Sequence, residues 1–258
     1  MQTLKTNRLK RRHEGVFIVE GVRNINQAVE CGWHISGWIY SRDRRLSGWA
    51  SEMIGSVQTD RDYVLDGQLM TELSGKDETS ELLALVSLRS DESDPAALEG
   101  QSLVLLFDRP SNHGNLGSLM RSCDAFGVTS LIITGHAVDV YDPDVIAASM
   151  GSFFRAHCMR AERMEDVESI IAYLRDKQPG FQVVGTTAKR ETPIDRVDFT
   201  RPTLLMIGNE TDGLARGLKE RCDILATIPM AATSSASSLN VACAATVMLY
   251  EAVRQKGG

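Results

Sequence analysis

Residues 228–242 read IPMAATSSASSLNVA and join a strand-like apolar run to the long helix expected at the end of the chain. The run stops at Pro229, which has no backbone N–H to donate to a sheet. Beyond the loop, residues recur at helical steps of three and four positions, namely Leu239, Ala242, Cys243, Thr246, Leu249, Tyr250 and Val253. Ser237 or Ser238 is the expected N-cap, because a hydroxyl oxygen accepts a hydrogen bond from a first-turn amide. A loop of small polar residues here leaves backbone donors and acceptors available to a ligand.

The sequence from residue 101 onward alternates apolar strands with helices. Strands are predicted at 103–107, 130–134, 182–187, 203–207 and 224–228, and helices at 116–126, 143–150, 164–177 and 214–221. The first strand is apolar throughout, which is typical of a strand buried on both faces of a parallel sheet. The pattern predicts an α/β domain with a mostly parallel sheet.

The N-terminal part predicts a smaller α/β unit. Strands are expected at 16–20, 37–40, near Val57 and at 82–88, with helices at 22–31, 46–54 and 69–73. The polar and acidic stretch 89–100 contains Pro95 and is the best domain boundary. We therefore expect an N-terminal domain over 1–90, a linker over 91–100 and a C-terminal domain over 101–258.

Composition excludes several classes of protein. The 258 residues are 43% hydrophobic and 24% charged, which is ordinary for a globular protein. The sequence contains no run of about 18 apolar residues, the length needed to span a membrane. The basic N-terminus lacks an apolar signal segment. The five cysteines are dispersed, without the spacing of a zinc site, and predict reduced thiols. A cytoplasmic protein without a metal is expected.

Charge is distributed unevenly along a chain whose net charge is -6. The first 45 residues contain nine Lys and Arg against four Asp and Glu, so the acidic excess lies in the remainder. A basic arm near the N-terminus comprises Lys5, Arg8, Lys10, Arg11 and Arg12, and Arg42, Arg44 and Arg45 follow. Such clusters can contact the phosphates of a nucleic acid, although a solvated basic tail explains the arm equally well.

The loop 108–117, DRPSNHGNLG, leads from the first strand of the C-terminal domain into a helix that carries Arg121. Helical side chains lean toward the N-terminus, so Arg121 is expected to reach back over Gly117. With Gly114 and Gly117 clearing that face, the guanidinium, the Asn115 amide and the free helix N–H groups could converge on one anion. The alternative is a capped helix with a surface arginine.

A second loop, 207–214 with the sequence IGNETDGL, follows another apolar strand. Ligands of open α/β sheets bind at such carboxyl ends of strands. Glu210 is costly beside a buried strand unless it is exposed or paired, so it either orients a polar partner or helps to cap the next helix. The chain has no G-x-G-x-x-G motif, no P-loop and no nucleophile-elbow serine, which disfavours an oxidoreductase, an NTPase or a serine hydrolase.

Together the segments 112–121, 205–214, 228–230 and 238–241 resemble the SpoU (TrmH-type) family of RNA 2′-O-ribose methyltransferases, in the SPOUT class. The segment FIVEG, residues 17–21, resembles the N-terminal RNA substrate-binding domain that often accompanies this family, built like a small ribosomal protein. The resemblance implies a sheet whose C-terminal segment forms a trefoil knot, an exception to the usual absence of knots. It also implies a homodimer whose subunits share each site, for which the small residues Ala242, Ala244 and Ala245 are suited.

The resemblance also implies the site residues, the cofactor and the substrate. The cofactor is S-adenosyl-L-methionine, and the substrate is ribosomal or transfer RNA. The implied cofactor-binding residues are Thr187, Gly208, Asn209, Ile228, Met230 and Leu239. The implied catalytic residues are Asn115, Arg121, Glu210, Ser238 and Asn240. The loop between Met230 and Ser238 is longer than is usual in the family and lacks its customary glycine, which keeps open a non-catalytic RNA-binding protein with the same fold.

Overall fold

The computed structural model describes residues 1–74, 78–89, 94–189 and 191–257. The chain divides into two compact units, the first made of Met1–Ser90 with Asp139–Arg155 and the second of Asp91–Val138 with Ala156–Gly258. The sequence-based boundaries at 1–90, 91–100 and 101–258 stay a prediction, and residues 91–93 of the predicted linker lie outside the described residues.

Helices and strands alternate along most of the chain. In order they are α1 (Gln2–Thr6), α2 (Arg8–Glu14), β1 (Val16–Glu20), α3 (Val22–Glu30), β2 (Ile35–Ser41), α4 (Gly48–Ser56), β3 (Tyr63–Leu65), α5 (Gly67–Ser74), β4 (Leu82–Ser87), β5 (Leu103–Asp108), α6 (His113–Ala125), β6 (Ser130–Thr134), α7 (Pro143–Ser149), β7 (His157–Ala161), α8 (Met164–Lys177), β8 (Gln182–Thr186), β9 (Thr192–Pro193), β10 (Thr203–Ile207), α9 (Arg216–Lys219), β11 (Ile224–Thr227) and α10 (Val241–Gln255). Short 3-10 helices span Pro95–Leu98, Ser152–Arg155 and Ile194–Arg196.

The first unit contains a four-stranded sheet in the order β1-β4-β2-β3. Strands β1 and β2 are antiparallel to β4, and β3 is parallel to β2. The carboxyl ends of β1, β2 and β3 therefore lie at one edge of the sheet. The strand predicted near Val57 is wrong, because Val57 ends α4 and the strand is formed by Tyr63–Leu65.

The predicted basic arm is not a tail but two helices, α1 and α2. Arg11 is 2% exposed, and its guanidinium lies 2.7 Å from Asp139 and 3.3 Å from Asp142. It also donates to the carbonyl oxygens of Leu4 and Lys5. Because the donors of Arg11 are used inside the unit, its burial argues against the predicted contact with RNA.

The remaining residues of the arm differ in accessibility. The Lys5 ammonium donates to the carbonyl oxygens of Leu73 and Ser74, so it ties α1 to the end of α5. Arg8 is half-buried, whereas Lys10 and Arg12 are exposed. Lys10 and Arg12 are thus the most accessible residues of the predicted set.

Segment 139–155 contributes to the core of the first unit. The rings of Tyr141 and Phe153 pack against Phe17, with centroids 5.0 and 5.9 Å away. The Trp33 indole donates to the carbonyl oxygen of Phe154 at 2.9 Å. These contacts explain why this segment belongs to the first unit although it lies between β6 and β7 in sequence.

The second unit is built on a seven-stranded sheet in the order β7-β6-β5-β10-β8-β11-β9. Every pairing in it is parallel, which confirms the predicted α/β class. Val104 and Leu106 of β5 join a core with α8, while α6 and α10 pack against each other. The strand β7 was missed because half-buried His157 and Arg160 interrupt its apolar pattern.

No helix within the described residues is long and apolar enough to cross a membrane.

Candidate functional site

The loop after β5 leads directly into α6. The Asn112 side chain accepts a hydrogen bond from the amide of Asn115 at 2.9 Å, so the helix begins at His113 rather than at the predicted Leu116. An asparagine N-cap explains this start, because its side-chain oxygen satisfies an amide that has no partner within the helix. The inner face of α6 is formed by four buried residues, Leu116, Leu119, Met120 and Cys123.

Glu210 in the loop after β10 accepts hydrogen bonds from the loop before α6. Its carboxylate oxygens lie 3.2 and 2.9 Å from the amide and hydroxyl of Ser111, and 3.3 Å from the amide of Asn112. They also accept from the side-chain amides of Asn115 and Asn209, both at 3.3 Å. The following helix α9 has no side-chain cap. Of the two interpretations of Glu210, the structure therefore favours the one in which it orients polar partners.

These donors determine the charge state of Glu210. Burial on its own raises the pKa of the carboxyl, but the hydrogen bonds from the backbone and from Ser111 and Asn115 outweigh burial, so the pKa lies below its ordinary value. The group is therefore a carboxylate at neutral pH.

The loop before α10 joins the same hydrogen-bond chain through Asn240. The Asn240 side chain donates to Asn115 Oδ1 at 3.1 Å, while its own oxygen accepts from the amides of Ala242 and Cys243. Asn240 is thus the N-cap of α10, and the prediction of Ser237 or Ser238 is wrong. An amide side chain can cap and bridge at once, because it carries both an acceptor and a donor. The chain Asn240–Asn115–Glu210 links all three predicted loops.

Arg121 lies outside that chain. It is exposed on α6 and makes no hydrogen bond or ion pair with any other residue that the structure describes. Asn115 and Arg121 are six positions apart and therefore roughly 120° apart around the helix axis. Helix geometry places the two side chains on different faces of α6, so their convergence on one anion stays a prediction, and the guanidinium is exposed.

A cavity of ≈ 330 Å³ opens beside these loops. All six residues implied for the cofactor, and Ser238, are among those that line it: Thr187, Gly208, Asn209, Ile228, Met230, Ser238 and Leu239. Further apolar surface comes from Ile207, Val241 and Met248. Sequence reasoning did not single out Met248, Lys189 or Lys219, which also line it, because nothing in a helix or loop pattern separates a lining residue from a core or surface residue.

The residues present fit a nucleoside with a polar tail. Ligand sites are mostly apolar, with a few polar groups that fix orientation, and this volume lies at the small end of their range of about 300–1,000 Å³. A Cβ on Gly208 would collide with the amide nitrogen of Leu214, so glycine is needed to close this wall. The backbone groups of Met230, Ser238 and Leu239 have no hydrogen-bond partner among the described residues and are available to a ligand.

In the part of the chain that the structure describes, no group of three or more His, Cys, Asp or Glu side chains could hold a metal ion.

Replacing Glu210 with glutamine is expected to destabilise the chain by about 1 kcal/mol at neutral pH, because an amide cannot accept from all the donors around it. The lowered pKa means that the carboxylate stabilises the fold fully above the unfolded-state value and loses this contribution as the pH falls through the folded-state value. Urea denaturation of both proteins at neutral and acid pH should therefore show a difference that shrinks in acid. Glu220→Gln, an exposed partner of Arg216, is the matched control and should change little. An equal effect of both variants would contradict this role of Glu210.

Two protein-family models match this chain, one in each of its two parts. The model of the SpoU rRNA Methylase family matches residues 102–250, and that of the SpoU L30e-like domain matches residues 1–84. The chain is 43% identical over 256 residues to the 23S rRNA (uridine(2479)-2′-O)-methyltransferase of Streptomyces viridochromogenes, covering 99% of this chain and 88% of that protein. It is 35% identical over 173 residues to a 23S rRNA (guanosine-2′-O-)-methyltransferase of Coxiella burnetii, covering 67% of this chain and 64% of that protein.

Solved structures agree with the sequence matches. The SpoU methyltransferase AviRb from Streptomyces viridochromogenes, in complex with the cofactor AdoMet, superimposes with a TM-score of 0.92 at 42% identity over 100% of this chain and 96% of that one. An AdoMet-bound rRNA methyltransferase from Sinorhizobium meliloti gives a TM-score of 0.81 at 26% identity over 98% and 92%. Sequence motifs, fold and family models agree, and the chain belongs to the SpoU rRNA methylase family.

Proposed function

We propose that this chain transfers a methyl group from S-adenosyl-L-methionine to a ribose 2′-hydroxyl of RNA. The observation that carries the proposal is the hydrogen-bond chain Asn240–Asn115–Glu210, which joins three loops beside a cavity lined by the implied cofactor residues. Because the similar Streptomyces viridochromogenes protein is named for 23S rRNA, ribosomal RNA is the first substrate to test and transfer RNA the second.

The cofactor is held by the wall of the cavity. Ile228, Met230 and Leu239 supply apolar surface, and the backbone groups of Met230 and Leu239 supply donors and acceptors. When bound, S-adenosyl-L-methionine supplies an electrophilic methyl group. A Cβ at position 208 would disrupt the wall, so Gly208 keeps the loop in the shape that this site requires.

The catalytic residues make a neutral hydroxyl a better nucleophile. Arginine is a cation with several donors, so the role of Arg121 is to fix a neighbouring phosphate and to stabilise negative charge on the 2′-oxygen. Glu210 holds the Asn115 amide, whose Oδ1 accepts from Asn240, so both amides keep one orientation toward the RNA. Alignment of two reactants can itself lower a barrier by about 7–11 kcal/mol in favourable cases.

A second copy of the chain completes the proposed enzyme. Val247 and Tyr250 are 40% and 56% exposed on α10, which supports a homodimer packed through that helix. Of the three alanines implied for this contact, Ala242 and Ala245 are instead buried in their own unit, so the contact is assigned to the large side chains. The exposed guanidinium of Arg121 is assigned to the site that the second copy completes. A trefoil knot around residues 228–241 and a cytoplasmic location are part of the same proposal.

The N-terminal unit is proposed to bind the RNA through the loop after β2. Arg42, Arg44 and Arg45 are exposed at the sheet edge where β1, β2 and β3 end. The loop is braced, since the Asp43 carboxylate accepts from the amide of Gly67 and Arg44 donates to the carbonyl oxygen of Thr79. A braced loop presents its cations at a low entropic cost. The proposed RNA-binding set therefore contains the arginines of this loop together with Lys10 and Arg12, and it no longer contains Arg11.

Changing Arg42 and Arg45 together to glutamine is expected to weaken RNA binding and its dependence on salt. Each lost phosphate contact should reduce the slope of log K against log salt by about 0.7 for single-stranded RNA. Fluorescence anisotropy with a labelled fragment of 23S rRNA at several salt concentrations measures both quantities. The control replaces Arg196 and Arg216, exposed arginines of the second unit, and should leave the slope unchanged. Equal slopes for wild type and the Arg42/Arg45 variant would remove this loop from the interface.

Calorimetry with S-adenosyl-L-methionine tests the proposed function against its alternative. Saturable binding is expected for the methyltransferase. A chain that binds RNA but not the cofactor would be a non-catalytic RNA-binding protein with the family fold.

A further inference from the structure

Arg109 has a backbone conformation that is unusual for its residue type. Its φ is 47°, in the left-handed region that residues other than glycine rarely adopt. Its stem packs tightly, since a Cβ added at Gly135 would lie 2.9 Å from Arg109 Cγ. A strained conformation persists only when its surroundings determine it, so the contacts of Arg109 show what the strain holds in place.

Asp108 is the anchor of these contacts. It is 2% exposed, and its carboxylate accepts from Arg109 Nε at 3.0 Å and Nη2 at 2.9 Å. It also accepts from the Thr134 hydroxyl and from the amide of Ala215, both at 2.8 Å. The carboxylate therefore joins the ends of β5 and β6 to the start of α9. Removing any partner would leave part of a buried charge unpaired.

Arg109 in turn holds the loop Asn209–Gly213 at both ends. Its carbonyl oxygen accepts from Asn209 Nδ2 at 2.6 Å, and its Nη2 lies 3.5 Å from the carbonyl oxygen of Gly213. Asn209 and Gly213 also exchange two backbone hydrogen bonds of 3.1 Å, which close the loop. Every residue of this loop lines the cavity, whereas Arg109 and Asp108 do not.

We propose that Arg109, held by Asp108, is a positioning residue that sets the shape of the cofactor loop without touching the cofactor. The inference rests on the proposed function for the identity of the ligand, but not for the geometry of the loop. The same contacts place Glu210, which lies within the loop, opposite Ser111 and Asn112. The Asp108–Arg109 pair thus positions both the loop Asn209–Gly213 and, through Glu210, the start of α6.

The test compares Arg109→Gly, Arg109→Lys and Arg216→Gln, with Asp108→Asn as a second way to break the pair. Glycine relieves the strained φ while removing the guanidinium, so a loss of affinity cannot be attributed to backbone strain. Arg216 is a matched control because its side chain is 93% exposed and pairs only with Glu220 among the described residues. S-adenosylhomocysteine binding is measured by calorimetry well below each melting temperature, and exchange of the loop amides is followed by mass spectrometry.

Arg109→Gly and Asp108→Asn are expected to bind S-adenosylhomocysteine about tenfold more weakly, as the loss of a charged hydrogen bond implies. The amides of 209–213 should exchange faster, KM for the cofactor should rise more than KM for RNA, and Arg109→Lys should recover part of the affinity. A lower melting temperature with wild-type affinity and exchange would show a purely structural pair and overturn the inference. If the wild-type chain did not bind S-adenosylhomocysteine, the proposed function would fail too. The two failures are distinguishable, because only the second one shows in the wild-type chain.

Discussion

Methyl transfer by Arg121→Ala is expected to fall about 10²–10³-fold, the effect of removing one group that stabilises developing negative charge. Stability should hardly change, because Arg121 is exposed and has no partner among the described residues. The measurement is the initial rate of tritium transfer from labelled S-adenosyl-L-methionine to RNA, with the melting temperature recorded alongside.

Two further variants test whether the loss of activity is specific to the guanidinium of Arg121. Arg196→Ala removes a comparable exposed arginine whose only ion pair within the described residues is with Asp195, and should keep the wild-type rate. Arg121→Lys keeps the charge but loses the planar fork that binds phosphate with two hydrogen bonds, so it should recover only part of the rate. Retained activity in Arg121→Ala would remove this residue from the mechanism.

The second large effect concerns stability and the N-terminal helices. Arg11→Ala is expected to destabilise the first unit by about 3 kcal/mol, because it removes a buried guanidinium that pairs with two half-buried carboxylates, those of Asp139 and Asp142. Urea denaturation followed by the fluorescence of Trp33 and Trp38, both buried in that unit, measures the loss.

Lys10→Ala is the matched control for Arg11. It is the adjacent residue on α2, exposed and paired with Glu14 one turn away, and its removal should cost at most about 0.5 kcal/mol. The original RNA-binding interpretation predicts the opposite pattern, with similar stability for both variants and weaker RNA binding for Arg11→Ala at temperatures where it is folded. That result would restore Arg11 to the RNA-binding set.

Elements with strong apolar periodicity were predictable from the sequence. The strand β10 and the helix α8 begin and end where expected, since each buries a continuous run or a regular face. The strand β7 and the N-terminal helices were not recognised, because their burial depends on partners distant in sequence. Arg11 illustrates this best: its partners are 128 and 131 residues away, and no local pattern distinguishes it from Lys10.

The sequence motifs pointed to residues that lie together in the structure, but not to the hydrogen bonds between them. The motifs identified Asn115, Glu210 and Asn240, and the structure joins them. They did not reveal that Asn240, rather than a serine, caps α10, because three candidate caps follow one another in the loop. Asp108 shows the same pattern as Glu210, a carboxylate at the end of an apolar strand, although it lies outside the family motifs.

The most direct test of the account is where the methyl group goes. Ribosomal RNA that lacks the modification is incubated with the protein and with tritiated S-adenosyl-L-methionine, and is then hydrolysed in alkali. A 2′-O-methyl group removes the hydroxyl that attacks the neighbouring phosphate, so the label should appear in alkali-resistant dinucleotides and be lost with Arg121→Ala. Label in mononucleotides, or no transfer to ribosomal or transfer RNA despite cofactor binding, would contradict ribose methylation.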